Sequence, residues 1–184
     1  MTIDVGVQIV GAGHVSIGDN TWIDKYVILL AGPLREGRRK VHRRPNPHYQ
    51  GQEGELVIGR NCHIAPYVLL QAHGGLWLGD DVGVAAGSKI YSLSHHHRNL
   101  EEPADTREYV FTPCGLEEDQ ALIASPVVVG SRAAVALDVC ILPGSTVGRG
   151  SWVGAKSLVS GEVPPGVIAA GVPVRVIRSR GVLA

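Results

Sequence analysis

From Val129 to Val163 a large aliphatic residue returns at every sixth position: Val129, Val135, Ile141, Val147, Val153 and Val159. Four places after each stands a smaller or β-branched residue, in turn Ala133, Val139, Ser145, Ser151, Ser157 and Val163. A period of six is neither the three-and-four spacing of an amphipathic helix nor the alternation of a half-buried strand. It fits a solenoid of short strands that turns a corner every six residues, each coil burying its aliphatic row only against its neighbours. Gly148 and Gly154 follow buried aliphatic positions, where a missing side chain eases the corner.

The same period is present upstream. It pairs Val5 with Ile9, Gly11 with Val15, Ile17 with Thr21 and Ile23 with Val27, and reaches Leu29. It resumes with Ile58 and Cys62, Ile64 and Val68, then Leu70, slips by two residues at His73-Gly74-Gly75, and continues through Leu78 and Val82, Val84 and Ser88, Ile90 and Ser94. The coil is therefore expected to start almost at the first residue. Pro164-Pro165 is expected to end it, because proline cannot donate to a strand ladder. The expected organisation is one domain over 1–184, with insertions at 33–55 and 95–126 and a tail over 164–184.

The first insertion carries prolines together with Arg35, Arg38, Arg39, Lys40, Arg43 and Arg44. It reads as a loop leaving the coil, its basic side chains either solvated or forming a cradle for a phosphate. The second opens on His95-His96-His97, and loops of this length inside a compact domain are functional or disordered. His95 is the first residue off a completed hexad. A neutral imidazole there can accept a proton from a hydroxyl, with an ordinary pKa close to working pH; from composition alone, a solvated loop histidine is the plainer reading. Eight histidines also raise a metal site, which needs three or four converging ligands. His95 and His97 would share a strand face, with His63 or His73 one coil away as the third.

Composition narrows the classes. With 45% hydrophobic residues, 184 residues supply a core, and 24 glycines against one phenylalanine suit corners and stacked aliphatics. A formal charge of zero gives no global field to gather nucleic acid or a membrane surface. No apolar run approaches a membrane span and Met1-Thr-Ile-Asp4 is no signal peptide, so a cytoplasmic protein without membrane insertion is expected. Cys62, Cys114 and Cys140 form no CxxC pair, and Cys62 holds a small hexad position, which points to packing. No G-x-S-x-G, GxxxxGK[ST] or GxGxxG is present, so hydrolase, kinase and dinucleotide readings lack their markers.

The hexads, the interrupting loop that opens on histidine, and the run from Val163 through Pro164-Pro-Gly-Val-Ile-Ala-Ala-Gly-Val-Pro-Val-Arg175-Val-Ile-Arg178 together resemble the hexapeptide-repeat acyltransferases. The branch they are most similar to is that of the maltose, galactoside and polysaccharide O-acetyltransferases. The resemblance covers most of residues 58 to 178. It implies an all-β chain folded as a left-handed parallel β-helix of triangular section, an exception to the right-handed crossover rule. It further implies a homotrimer with active sites in the clefts between subunits, and acetyl-CoA as acyl donor with no metal.

By the same resemblance, the segment from Asp80 to His95 matches the one ending on the family's base, which assigns general-base catalysis to His95 with His96 in reserve. Pantetheine contacts fall on Leu137, Gly154 and Ala155, and the adenosine and its phosphates on Ser160, Gly161, Arg175 and Arg178. The implied reaction is O-acylation of a hydroxyl on a sugar or glycan, by direct transfer. The chain departs from the family at Ala134-Val-Ala136, at Ser160-Gly-Glu162, and around Tyr67 and Val68, where the asparagine that holds a sugar acceptor has no counterpart. The alternatives on the same coil are a γ-carbonic-anhydrase-like metalloenzyme, against which Val84-Ala85-Ala86 stands where histidine is wanted, and a non-catalytic scaffold.

Overall fold

The computed structural model describes residues 1–35 and 37–181. The period of six becomes three parallel sheets that wrap a triangular β-helix. The first face stacks Thr2–Ile3, Trp22–Ile23, His63–Ile64, Gly83–Val84, Ala134–Val135, Trp152–Val153 and Val167–Ala170. The second stacks Gln8–Val10, Ile28–Leu30, Leu69–Gln71, Lys89–Tyr91, Cys140–Ile141 and Leu158–Val159. The third stacks Val15–Ile17, Leu56–Ile58, Leu76–Leu78, Val127–Val129, Thr146–Val147 and Glu162–Val163.

In-register pairing turns each hexad aliphatic into a rung of a buried column. Ile64, Val84, Val135 and Val153 stack under the first face, Leu29, Leu70, Ile90, Ile141 and Val159 under the second, and Ile58, Leu78, Val129, Val147 and Val163 under the third. All of these are sealed from solvent, so one continuous column of aliphatic side chains is the core.

The small hexad position lines the corners. Thr21, Cys62, Val82, Ala133 and Ser151 are buried there, and the Cys62 thiol lies 3.1 Å from the Gly79 carbonyl oxygen, its pKa pushed up by burial. Serines at such places satisfy corner backbone: the Ser88 hydroxyl donates to the Ala136 carbonyl at 2.8 Å and accepts from the Val139 amide at 3.2 Å. Corner turns need left-handed backbone, taken by Asn20, Asn61 and Asp81 on successive coils, residue types that tolerate it. Their side chains join in a ladder, Asn20 to Asn61 at 3.0 Å and Asn61 to Asp81 at 3.1 Å.

Two sequence expectations are corrected. In the first coil Val5 lies in a turn and is 70% exposed; Ile3, Val7 and Ile9 hold the rungs instead, two residues out of the expected frame. Pro164-Pro165 does not end the coil. The two prolines sit at a corner, where no ladder amide is required, and Val167–Ala170 resumes the first face beside Trp152–Val153. Arg175–Ser179 then turns back and pairs antiparallel with Val167–Ala170.

Both insertions leave the coil after its second face, and neither is an unstructured loop. Leu93–His95 pairs antiparallel with Ala121–Ala124, and that strand pairs in parallel with Lys40–Arg43 of the other insertion. The basic segment, expected as a loop leaving the coil, contains a strand and buries His42 and Asn46. Asn46 fastens it to the third face: its side-chain amide donates to the Pro126 carbonyl at 3.1 Å and the Thr146 hydroxyl at 3.0 Å, and its oxygen accepts the His48 amide at 3.0 Å.

Candidate active site

His95 is the last residue of its strand, opposite Leu122, which in turn pairs with Val41. Directly paired residues project from the same side of a sheet, so His95, Leu122 and Val41 form one row. The strand pairing on one side and the His96 amide, which donates to the Ala121 carbonyl at 2.8 Å, fix the backbone on both sides of His95. Its ring meets Phe111 edge-on, with centroids 6.4 Å apart. Nδ1 is shielded from solvent and makes no hydrogen bond among the described residues.

His96 is engaged elsewhere. Its Nδ1 lies 2.9 Å from the Arg98 carbonyl oxygen, and its ring stacks on His97 at 4.5 Å and meets His42 edge-on at 6.0 Å. His42 is 2% exposed; its Nε2 accepts the Leu100 amide at 3.2 Å while Nδ1 makes no hydrogen bond among the described residues. Burial holds its pKa below the ordinary histidine value, against the opposing pull of the Glu101 carboxylate 3.8 Å away.

The histidines expected to complete a metal set are apart from these. His63 stands on the first face, stacked on Trp22 at 4.6 Å and 3.4 Å from the Asp24 carboxylate. His73 turns its Nδ1 to the Gly32 carbonyl at 2.9 Å. No group of three His, Cys, Asp or Glu side chains suited to a metal ion occurs among the described residues.

The residues expected around the coenzyme divide between two corners. Leu137 is 55% exposed at the corner between the first and second faces, and Ala155 stands at that corner one coil on, where the Lys156 amide donates to the Leu137 carbonyl at 2.9 Å. Gly154 belongs to the same edge. A side chain there would press on Ala170, 2.8 Å away, and Ala170 pairs with Arg175. Arg175 therefore continues this edge, while Arg178 lies opposite Ile168 on the first face; both are exposed. Ser160 and Gly161 occupy the other corner, between the second and third faces, where the Gly161 amide donates to the Ser145 hydroxyl at 3.2 Å. His95 leaves the coil from that same corner. The second face separates the two sets by roughly 15–20 Å at about 3.3 Å per extended residue.

Sequence reasoning missed the joining of the two insertions. Glu117 is the device: its carboxylate accepts the Arg38 amide at 2.9 Å and Arg39 Nη2 at 2.6 Å, which hold its pKa below the usual carboxylate value. Gly37 has no side chain where this carboxylate sits; a Cβ would lie 2.5 Å from it. An acidic run facing a basic run across about 80 residues of sequence was the available sign.

No family model matches the chain. Among relatives, WcaF of Escherichia coli K12, named as a colanic acid biosynthesis acetyltransferase, is 33% identical over 125 residues, which cover 67% of this chain and 69% of WcaF. WbbJ of the same organism, named as a lipopolysaccharide biosynthesis O-acetyl transferase, is 29% identical over 125 residues, 68% of this chain and 61% of WbbJ. The chain thus spans about three fifths of the length of WbbJ. Among solved structures, AntD, an N-acyltransferase from Bacillus cereus crystallised with dTDP and 3-hydroxybutyryl-CoA, superposes with a TM-score of 0.73 at 21% identity, over 97% of this chain and 79% of AntD. The fold is the left-handed β-helix. The chain belongs to the hexapeptide-repeat acetyltransferases.

Proposed function

We propose that this chain transfers an acetyl group from acetyl-CoA to a hydroxyl of a sugar or glycan, with His95 as general base. The observation that carries the role of His95 is its placement: strand pairing fixes its backbone, while its ring makes no hydrogen bond within the described residues. Nε2 takes the proton of the acceptor hydroxyl as the oxygen attacks the thioester carbonyl carbon. A main-chain N–H stabilises the tetrahedral oxyanion. The C–S bond then breaks, the proton passes from the imidazolium to the departing thiolate, and the products are an acetyl ester and free coenzyme A. The names of WcaF and WbbJ and the ligands of AntD support a saccharide acceptor and an acyl-CoA donor.

His95 and the Leu137–Ala155 edge flank opposite ends of the second face, so one chain does not bring them into contact. A homotrimer turning second faces inward lays the Leu137 edge of one subunit beside the His95 corner of the next, and each cleft then holds donor and base together. Replacing His95 by alanine is expected to lower kcat by about 10²- to 10⁴-fold and to leave acetyl-CoA binding unchanged. Full turnover by His95→Ala would remove the assignment.

A further inference from the structure

Val41 and Arg43 alternate along the edge strand Lys40–Arg43 of the small sheet and project from one side of it, the side on which Val41, Leu122 and His95 form a row, and Arg39, just before the strand, lines the same side. Together with Arg35 and Gly37 they line a depression beside Val41. Lys40 and His42 project from the opposite side. The two flanking guanidiniums are braced by carboxylates: Arg39 by Glu117 at 2.6 Å, and Arg43 by Glu53 at 2.7 Å and 3.3 Å. Arg35 is exposed and makes no hydrogen bond or ion pair among the described residues. Among the described residues Arg35 thus brings to the depression a guanidinium that no carboxylate neutralises, beside the braced fork of Arg39, and guanidinium forks suit the oxygens of a phosphate.

We propose that this depression is a phosphate subsite for the acceptor, which makes the acceptor a phosphorylated or diphosphate-linked saccharide. Val41 lies two strand spacings from His95, about 10 Å at 4.7–4.9 Å per spacing. A sugar ring with a phosphate linkage spans that gap when its hydroxyl rests on His95 and its phosphate on the arginines, with buried Leu122 as the floor between them. The residues expected to meet the coenzyme's own phosphates, Arg175 and Arg178, lie at the far C-terminal end of the coil, so the depression serves a second anion. The inference rests on the acyltransferase reading.

The test is calorimetric titration of inorganic pyrophosphate into the protein saturated with acetyl-CoA, repeated with Arg35→Ala and Arg39→Ala. Saturable binding that weakens at least tenfold in each variant is expected. No binding to the loaded protein, or equal binding by wild type and both variants, overturns the subsite; binding only when acetyl-CoA is absent means that pyrophosphate occupies the coenzyme site and overturns it equally. Arg35→Ala removes no described contact and keeps the test decisive even if Arg39→Ala fails to fold. Should acetyl-CoA itself fail to bind, the acyltransferase reading falls separately, and the loss or retention of pyrophosphate binding by Arg35→Ala in the unloaded protein still decides the anion site.

Discussion

Replacing Asn46 by alanine should release the basic insertion from the coil without unfolding the coil. Two hydrogen bonds of good length that tie the insertion to the coil disappear, from the side-chain amide to the Pro126 carbonyl at 3.1 Å and to the Thr146 hydroxyl at 3.0 Å, together with the bond from the His48 amide at 3.0 Å within the insertion; contacts with Gly144 and Ser145 at 3.5 Å and 3.4 Å are too long to weigh much. The Thr146 hydroxyl, in a residue 8% exposed, loses its partner. At about 0.5–1.5 kcal/mol for each of the two hydrogen bonds to the coil and about 1–3 kcal/mol for a stranded buried group, the loss totals roughly 2–6 kcal/mol. That is about a 30- to 20,000-fold rise in the open population, confined to the segment that Asn46 anchors. Amide hydrogen exchange read by mass spectrometry should show faster exchange over 40–50 and 121–124, with unchanged protection in the columns around Leu70 and Ile141. Because Lys40–Arg43 flanks the strand that orders His95, turnover should fall while acetyl-CoA affinity holds. Uniform loss of protection across the coil, or none anywhere, would refute the reasoning.

Two further outcomes are expected. Burial holds the His42 pKa down, so the folded state takes up its proton less readily than the unfolded chain; the neutral form's contribution to stability is complete above about pH 6.5 and is lost as pH falls below it toward the depressed value. The groups facing it are His96, Glu101 and Arg44. Protection factors over 40–44, taken relative to the intrinsic exchange rate at each pH, should therefore fall from about pH 7 to about pH 5, and His42→Gln should flatten that dependence; an unchanged slope contradicts the assignment. On the proposed trimer, mixing His95→Ala with Ala155→Glu subunits in equal amounts should restore about one quarter of wild-type turnover after reassortment, because each proposed cleft needs one intact half from each neighbour. A site contained within one chain would restore none.

Much of the coil was legible because a six-residue period leaves no other way to bury its aliphatics. Ile141, Val147 and Val153 each fell on the face that their spacing demands. The frame failed where packing is thinnest: in the terminal coil Ile3 and Ile9 are half covered, and Val5 satisfied the spacing without lying inside. Pro164-Pro165 misled because a proline is costly only where a ladder needs its amide, and corners do not. The pairing of Lys40–Arg43 with Ala121–Ala124 was invisible. A two-sided polar strand with a distant partner carries no periodicity, and only the charge pattern linking Arg38 and Arg39 to Glu117 hinted at it. His95 was singled out through the segment that leads to it; the Arg98 carbonyl that engages the ring of its neighbour His96, a reason to prefer His95 for the proposed role, is not legible in the sequence.

The central claim is that the chain binds an acyl-CoA along the Leu137–Ala155 edge and uses it as donor. Titrating the purified protein with acetyl-CoA in a calorimeter tests it most directly. Saturable binding at one site per chain is expected, retained by His95→Ala and lost in Ala155→Glu. A folded protein that takes up no acetyl-CoA would contradict it.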